Sequence, residues 1–346
     1  ELSGALPEVD AFLGASESDR LVPLLIERGV LESDVLAHPG ERLYAGTLPH
    51  VRYLKISEGC DHGCAFCAIP LMRGRHRSFA LEDVIREAQL LELQGALEVN
   101  LVAQDLAHYG RDRRDGVGLP ELLTALLRET SIPWFRNLYL YSAGITPALL
   151  DVMARDPRLV RYLDMPMQHA SDRVLAAMRR PERRATIRDK VARFRAAVPG
   201  LAIRTTVIVG FPGETDEDVD LLCDFLEELS LERVGVFTYS PQEGTRAAEL
   251  VDDVPASLKY ERQERVTGLQ TAITAARYES RIGTRATALV DYAAAGDEPA
   301  RARVPWQADD IDGLTRLDGD AAPGTFVDVE ITGVVDDYDF EARVMG

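Results

Sequence analysis

The sequence predicts an α/β chain: a partial, open (βα)6 barrel followed by a small all-β barrel of the OB type. Three observations carry this. Short apolar runs alternate with amphipathic helical segments through the middle of the 346 residues, the signature of parallel βα units. That texture ends near Arg281, where helical periodicity gives way to short β-like runs separated by Gly, Pro and Asp. Three of the four cysteines, Cys60, Cys64 and Cys67, crowd the loop after the first strand, and the strand ends of such barrels are where chemistry sits.

Residues 1–45 read as the remnant of a preceding domain, with PEVDAFLG as a short strand and DRLVPLLIERG as a helix ended by Gly29. Residues 46–280 hold the partial barrel. Its strand candidates are Val51–Ser57, Glu98–Gln104, Arg136–Tyr141, Tyr162–Met167, Ile203–Val209 and Arg233–Tyr239. The helix LEDVIREAQLLELQG carries Glu82 and Asp83 in its first turn and stops at Gly95. Thr215 and Asp218 fit a capping box, and Ser171 fits the N-cap of RVLAAMRR. A long helix from about Pro255 to Ser280 closes the barrel. Residues 281–346 then give ATALVDY, ARARVP, FVDVEITGVV and YDFEARV, a small domain of about five strands.

The chain is comfortable for two domains, and its 46% apolar content supports a sizeable core. No stretch reaches the roughly 20 apolar residues of a membrane span. The acidic, proline-broken start ELSGALPEVD is no export signal, and without an initiator methionine it reads as a trimmed piece of a longer protein. Crowded thiols with no export signal point to the cytosol. The net charge is −18, with only three lysines, Lys55, Lys190 and Lys259. Such a field repels nucleic acid and attracts basic partners.

A Cys-x-x-x-Cys-x-x-Cys triplet supplies three thiolates to one small volume. Structural zinc wants four ligands, which His62 or His76 could complete, leaving a non-catalytic metal loop as an alternative. Electron-transfer iron–sulfur clusters also take four. Three thiolates on a 4Fe–4S cube leave one iron open to a substrate or cofactor. A disulfide framework does not suit four cysteines so placed in a long chain. Cys223, beside Val219, Leu222 and Leu226 at helical offsets, reads as a core residue.

The triplet resembles that of the radical S-adenosylmethionine superfamily. The resemblance implies a 4Fe–4S cluster on Cys60, Cys64 and Cys67 whose open iron binds the amino and carboxylate groups of S-adenosylmethionine. One electron then cleaves the sulfonium and yields a deoxyadenosyl radical. Phe66 is placed beside the adenine, and Gln104 ends the strand whose backbone usually meets the methionyl amino group. Gln168 is expected near the ribose hydroxyls, Arg204 near a carboxylate, and Val209 with Gly210 where adenine approaches the backbone. His169 suits a structural or a site role equally, and GFPGET lacks the lysine of a phosphate loop. No catalytic side chain is singled out.

More narrowly, YLKISEGCDHGCAFCAIP, LVAQDLAHYG, LYLYS, LDMPMQHASDRVLAAMRRP, IRTTVIVGFPGETDED and RVGVFTYSPQEGT resemble the methylthiotransferase branch. Within it the likeness is to the enzymes acting on an aspartate of small-subunit ribosomal protein twelve, and the terminal β domain is similar to their TRAM module. The tRNA-adenosine methylthiotransferases are the alternative. The resemblance implies an electron donor such as flavodoxin or ferredoxin. It also implies a second 4Fe–4S cluster on three further cysteines, expected only in the full-length protein. From Arg281 onward six arginines face fourteen acids, a balance of −8. That favours a basic protein over tRNA, with Asp309, Asp310, Asp312, Asp336 and Asp337 as candidate contacts.

Overall fold

The computed structural model describes residues 4, 6–14, 17, 20–31, 48–336 and 338–345. Six parallel strands form one sheet in the order β1 (Val51–Lys55), β4 (Glu98–Val102), β5 (Trp134–Asn137), β6 (Leu159–Asp164), β7 (Ala202–Val209) and β8 (Arg233–Thr238). Leu54, Val99, Leu101, Phe135, Leu163, Ile203 and Val207 face outward into the main core beneath the helices. The inner face is polar: Tyr53 pairs in register with Asn100, Asn100 with Arg136, and Asp164 with Arg204. This division makes an open barrel with an apolar jacket and a lumen suited to a polar guest.

The jacket helices are α3 (Leu81–Leu93), α4 (Leu119–Glu129), α5 (Pro147–Arg155), α6 (Asp172–Ala177), α7 (Arg184–Ala197) and α8 (Asp216–Leu229); α1 (Leu21–Glu27) and α2 (Ile69–Arg73) lie outside that series. Gly95, just past α3, has φ +86°, the left-handed geometry that glycine supplies at a helix end. Asp218 accepts from the Thr215 backbone N–H at 2.9 Å, the expected capping box of α8. Cys223 lies on that helix inside the core, as its spacing predicts. The long α9 (Ala256–Glu279) closes against β8.

Residues 285–344 form a closed five-strand barrel in the order β10 (Ala300–Arg303), β11 (Thr315–Asp318), β13 (Asp339–Val344), β12 (Phe326–Val335), β9 (Arg285–Tyr292). Tyr278, near the end of α9, enters its core and stacks on Phe340 at 4.2 Å. The β-barrel is seated on the partial barrel at the amino ends of the parallel strands. There Arg136 pairs with Glu98 at 2.7 Å, and Arg303 bonds both Glu98 and Asp291. His50 meets Asp291 at 2.9 Å, and the Tyr162 hydroxyl donates to Asp312 at 2.5 Å. The carboxyl ends of the strands stay clear.

Several boundaries differ from expectation. The third and fourth strands begin two or three residues early, at Trp134 and Leu159, and stop at Asn137 and Asp164. Apolar residues continue beyond both, but Tyr139 (φ +68°) takes left-handed backbone that a strand cannot hold, and past Asp164 the chain meets Pro166, which has no N–H for the ladder. Residues 7–14 make a turn, with Val9 N–H bonded to Leu6 C=O, and no strand. The short β11, TRLD, has no hydrophobic run to announce it. Asp337 and residues 32–47, which include most of the end of the supposed remnant, lie outside the described residues. Among the described residues no helix is long and apolar enough to cross a membrane.

Candidate functional site

The site is built on two small elements after β1. β2 (Ser57–Glu58) pairs with β3 (Arg77–Ser78), which pins both ends of the intervening loop. Gly59 then turns at φ +79°, where a β-carbon would lie 2.2 Å from the Arg75 carbonyl oxygen; only glycine fits. The Cys60 N–H bonds Gly74 C=O at 3.1 Å, and Ala65 N–H bonds Met178 C=O at 2.9 Å. These contacts fold the loop back over the strand ends, with Cys60, Cys64 and Cys67 reduced and half-buried on one pocket wall.

The same pocket is lined by Phe66, Gln104 and Gln168, together with Tyr139, Tyr141 and Arg180. Arg180 is buried, its guanidinium 4.0 Å over the Tyr141 ring and 3.7 Å from the Cys64 sulfur. A permanent cation there suits a thiolate more than a thiol. Burial pushes the Cys60 thiol up to about 11 and the Cys67 thiol upward too. Loading a metal or cluster must therefore expel protons. The side-chain oxygens of Gln104 and Gln168 are buried without a hydrogen-bond partner. Buried acceptors left open in a pocket fit a ligand carrying N–H or O–H groups.

Beneath the loop, Asp105 bridges three segments. Its carboxylate accepts from His62 at 2.8 Å, from His108 at 2.5 Å and from the Tyr141 backbone N–H at 3.0 Å. Burial would raise its pKa, but the hydrogen bonds from His108 and His62 hold it well below the usual carboxylate range. His62 also stacks on Tyr141 at 4.0 Å. His62, Asp105 and His108 offer ligand atoms within 4.8 Å of one another. His76 instead bonds Ser78 at 3.1 Å and is not among the residues on the pocket wall.

Of the residues expected from the sequence, Phe66, Gln104, Gln168 and the three cysteines share the pocket. Arg204 and Val209 are not on its wall. Arg204 pairs with Asp164 at 3.1 Å in the lumen. Val209 is fully buried and its carbonyl accepts from Tyr239, while the side chain of Lys259 fills the open face of Gly210. His169 is buried against Glu214 and serves the start of α6 through the Ser171 N–H at 2.9 Å. Tyr141, Arg180 and Asp105 escape sequence reading because nothing separates one arginine or aspartate from its neighbours before folding.

The donor set fits a three-cysteine cluster: three free thiols on one wall, a cation at one sulfur, and a fourth cysteine remote in the core. Comparison with known proteins agrees. The model of the radical SAM superfamily matches residues 54–226, and that of the TRAM domain matches residues 282–345. The ribosomal protein uS12 methylthiotransferase RimO of Anaeromyxobacter sp. (strain K) is 45% identical over 352 residues, covering 100% of this chain and 75% of its own. That of Desulforudis audaxviator is 42% identical, covering 100% and 78%. Among solved structures, the radical SAM enzyme coproporphyrinogen III oxidase (HemN) of Escherichia coli superposes with a TM-score of 0.51. It is 14% identical and covers 75% of this chain and 65% of that one, a likeness of fold alone.

Proposed function

Because the chain belongs to the uS12 methylthiotransferase family of radical SAM enzymes, we propose that it inserts a methylthio group at the β-carbon of an aspartate in ribosomal protein uS12. The observation that carries this reading is the gathering of Cys60, Cys64 and Cys67 with Gln104 and Gln168 around one pocket at the strand ends.

The three thiolates would hold a 4Fe–4S cluster, and Gln104 and Gln168 would accept from the amino and hydroxyl groups of S-adenosylmethionine. When bound, the pair supplies a deoxyadenosyl radical that removes hydrogen from an unactivated carbon. This chain's residues do the rest. Arg180 offsets thiolate charge at Cys64 and ties the loop to the Pro166 carbonyl at 3.0 Å. Asp105 fixes His62 and Tyr141 as a rigid floor. Phe66, half-buried against the small apolar cluster that contains Val174, Met178 and Phe211, shields the adenine side from water. The polar lumen, with Arg204 beside Asp164, receives the target side chain.

The reading places the protein in the cytosol, with a flavodoxin or ferredoxin as electron source. It places a second, sulfur-supplying cluster on cysteines outside this sequence. A tRNA substrate is disfavoured by the acids exposed on the β-barrel, among them Asp310, Asp318, Asp320 and Asp336. The test is anaerobic reconstitution with iron and sulfide, then dithionite and S-adenosylmethionine. Deoxyadenosine is expected. Protein that carries zinc and takes up neither iron nor sulfide would instead support a non-catalytic metal loop.

A further inference from the structure

We infer that the turn joining α2 to β3, with the exposed end of α2, is the docking surface for an acidic one-electron carrier. The inference rests on the cluster reading above and adds to it a place on the surface. The chain carries −18 overall, yet residues 71–78, LMRGRHRS, hold three arginines and no acid. Arg75 and Arg77 are exposed and form no ion pair among the described residues. Lys55 and Arg73 both pair with the buried Glu58, whose strand neighbour is Arg77, so these cations share one patch around a single acid.

The patch has an apolar centre. Leu71 is 64% exposed and Met72 60% exposed, on a helix that starts two residues after Cys67. Exposed aliphatic residues followed closely by exposed arginines suit a protein-binding surface. A site for single-stranded RNA would need exposed aromatic rings for the bases, and residues 71–78 contain none. A basic substrate is repelled here. What remains is an acidic protein, and its place follows from the backbone bond between Cys60 N–H and Gly74 C=O. That bond puts the turn against the thiol loop. One electron leaves the carrier's reduced flavin or iron–sulfur centre and enters the cluster on Cys60, Cys64 and Cys67. No proton or group moves.

The test uses flavodoxin as the probe, with the chain reconstituted anaerobically. Binding of oxidised flavodoxin is titrated at low and high salt for the wild type, for Arg75→Glu/Arg77→Glu and for Met72→Asp. Iron content and circular dichroism serve as folding controls. Both variants are expected to bind about tenfold or more weakly, and the charge-reversed variant should lose most of its salt dependence. Deoxyadenosine formation driven by reduced flavodoxin should fall in parallel, while formation driven by dithionite stays at the wild-type rate. Unchanged flavodoxin affinity overturns the inference, as does lost affinity for an RNA oligomer with flavodoxin binding intact. Failure of the dithionite reaction in the wild type would instead overturn the enzymatic reading on which the inference rests.

Discussion

Gly59 and the three cysteines show how single residues set the site. A side chain at Gly59 would need left-handed backbone and would meet the Arg75 carbonyl at 2.2 Å. Gly59→Ala should therefore cost about 1–3 kcal/mol of local strain. It should lower bound iron per chain while far-ultraviolet circular dichroism stays unchanged. Cys60→Ala, Cys64→Ala and Cys67→Ala should each abolish cluster absorbance, since no other thiol lies near. Cys223→Ala should keep full iron, because that thiol packs with Val219 and Leu222 in the core. Iron loss from the Cys223 variant would show the ligand assignment to be wrong. The cysteines and Gln168 are legible in the sequence because spacing and strand order place them. Arg180 and Asp105 are not, because their roles exist only once α6 and the β4 end come against the cysteine loop.

At the scale of elements, the parallel strands and α9 could be read in advance because their burial repeats along the chain. Strand ends could not, since Leu138 and Leu140 extend the apolar pattern past the point where Tyr139 leaves it. The seating of the β-barrel was equally hidden, since Asp291 and Arg303 read as surface charges and are buried between domains. Arg303→Met would leave Glu98 with Arg136 alone and Asp291 with His50 alone, and should destabilise the junction by up to about 3–5 kcal/mol. Burial alone would raise the Asp291 pKa, yet the bonds from His50 and Arg303 hold it below the ordinary range. Glu98 is lowered likewise, the charges of Arg303 and Arg136 outweighing its burial. Carboxylates with depressed folded pKa values stabilise above the unfolded value, and the stability is lost as pH falls. The thermal midpoint should hold from neutral pH to about 5 and drop below about 4. Asp291→Asn should flatten that drop, and an unaltered profile would remove these pairs from the account.

Over the whole molecule, charge divides the surface by partner. The −8 balance of the β-barrel is partly spent inside the protein: Asp312 is buried on Tyr162, and Asp309 bonds Tyr53 at 3.2 Å. Composition counts these acids as available to a substrate, and the fold does not. Asp318 and Asp320 are exposed, so reversing both to lysine should slow association with basic uS12 without changing the thermal midpoint. Asp312→Lys should instead disrupt the junction. On the proposed function, this pocket methylthiolates uS12. The most direct measurement is mass spectrometry of uS12 and of tRNA nucleosides from cells lacking the gene that encodes this chain. In those cells uS12 should be lighter, carrying hydrogen in place of one methylthio group, with tRNA unchanged and the mass restored by the wild-type gene but not by Cys64→Ala. An unmodified tRNA adenosine beside fully modified uS12 would contradict it.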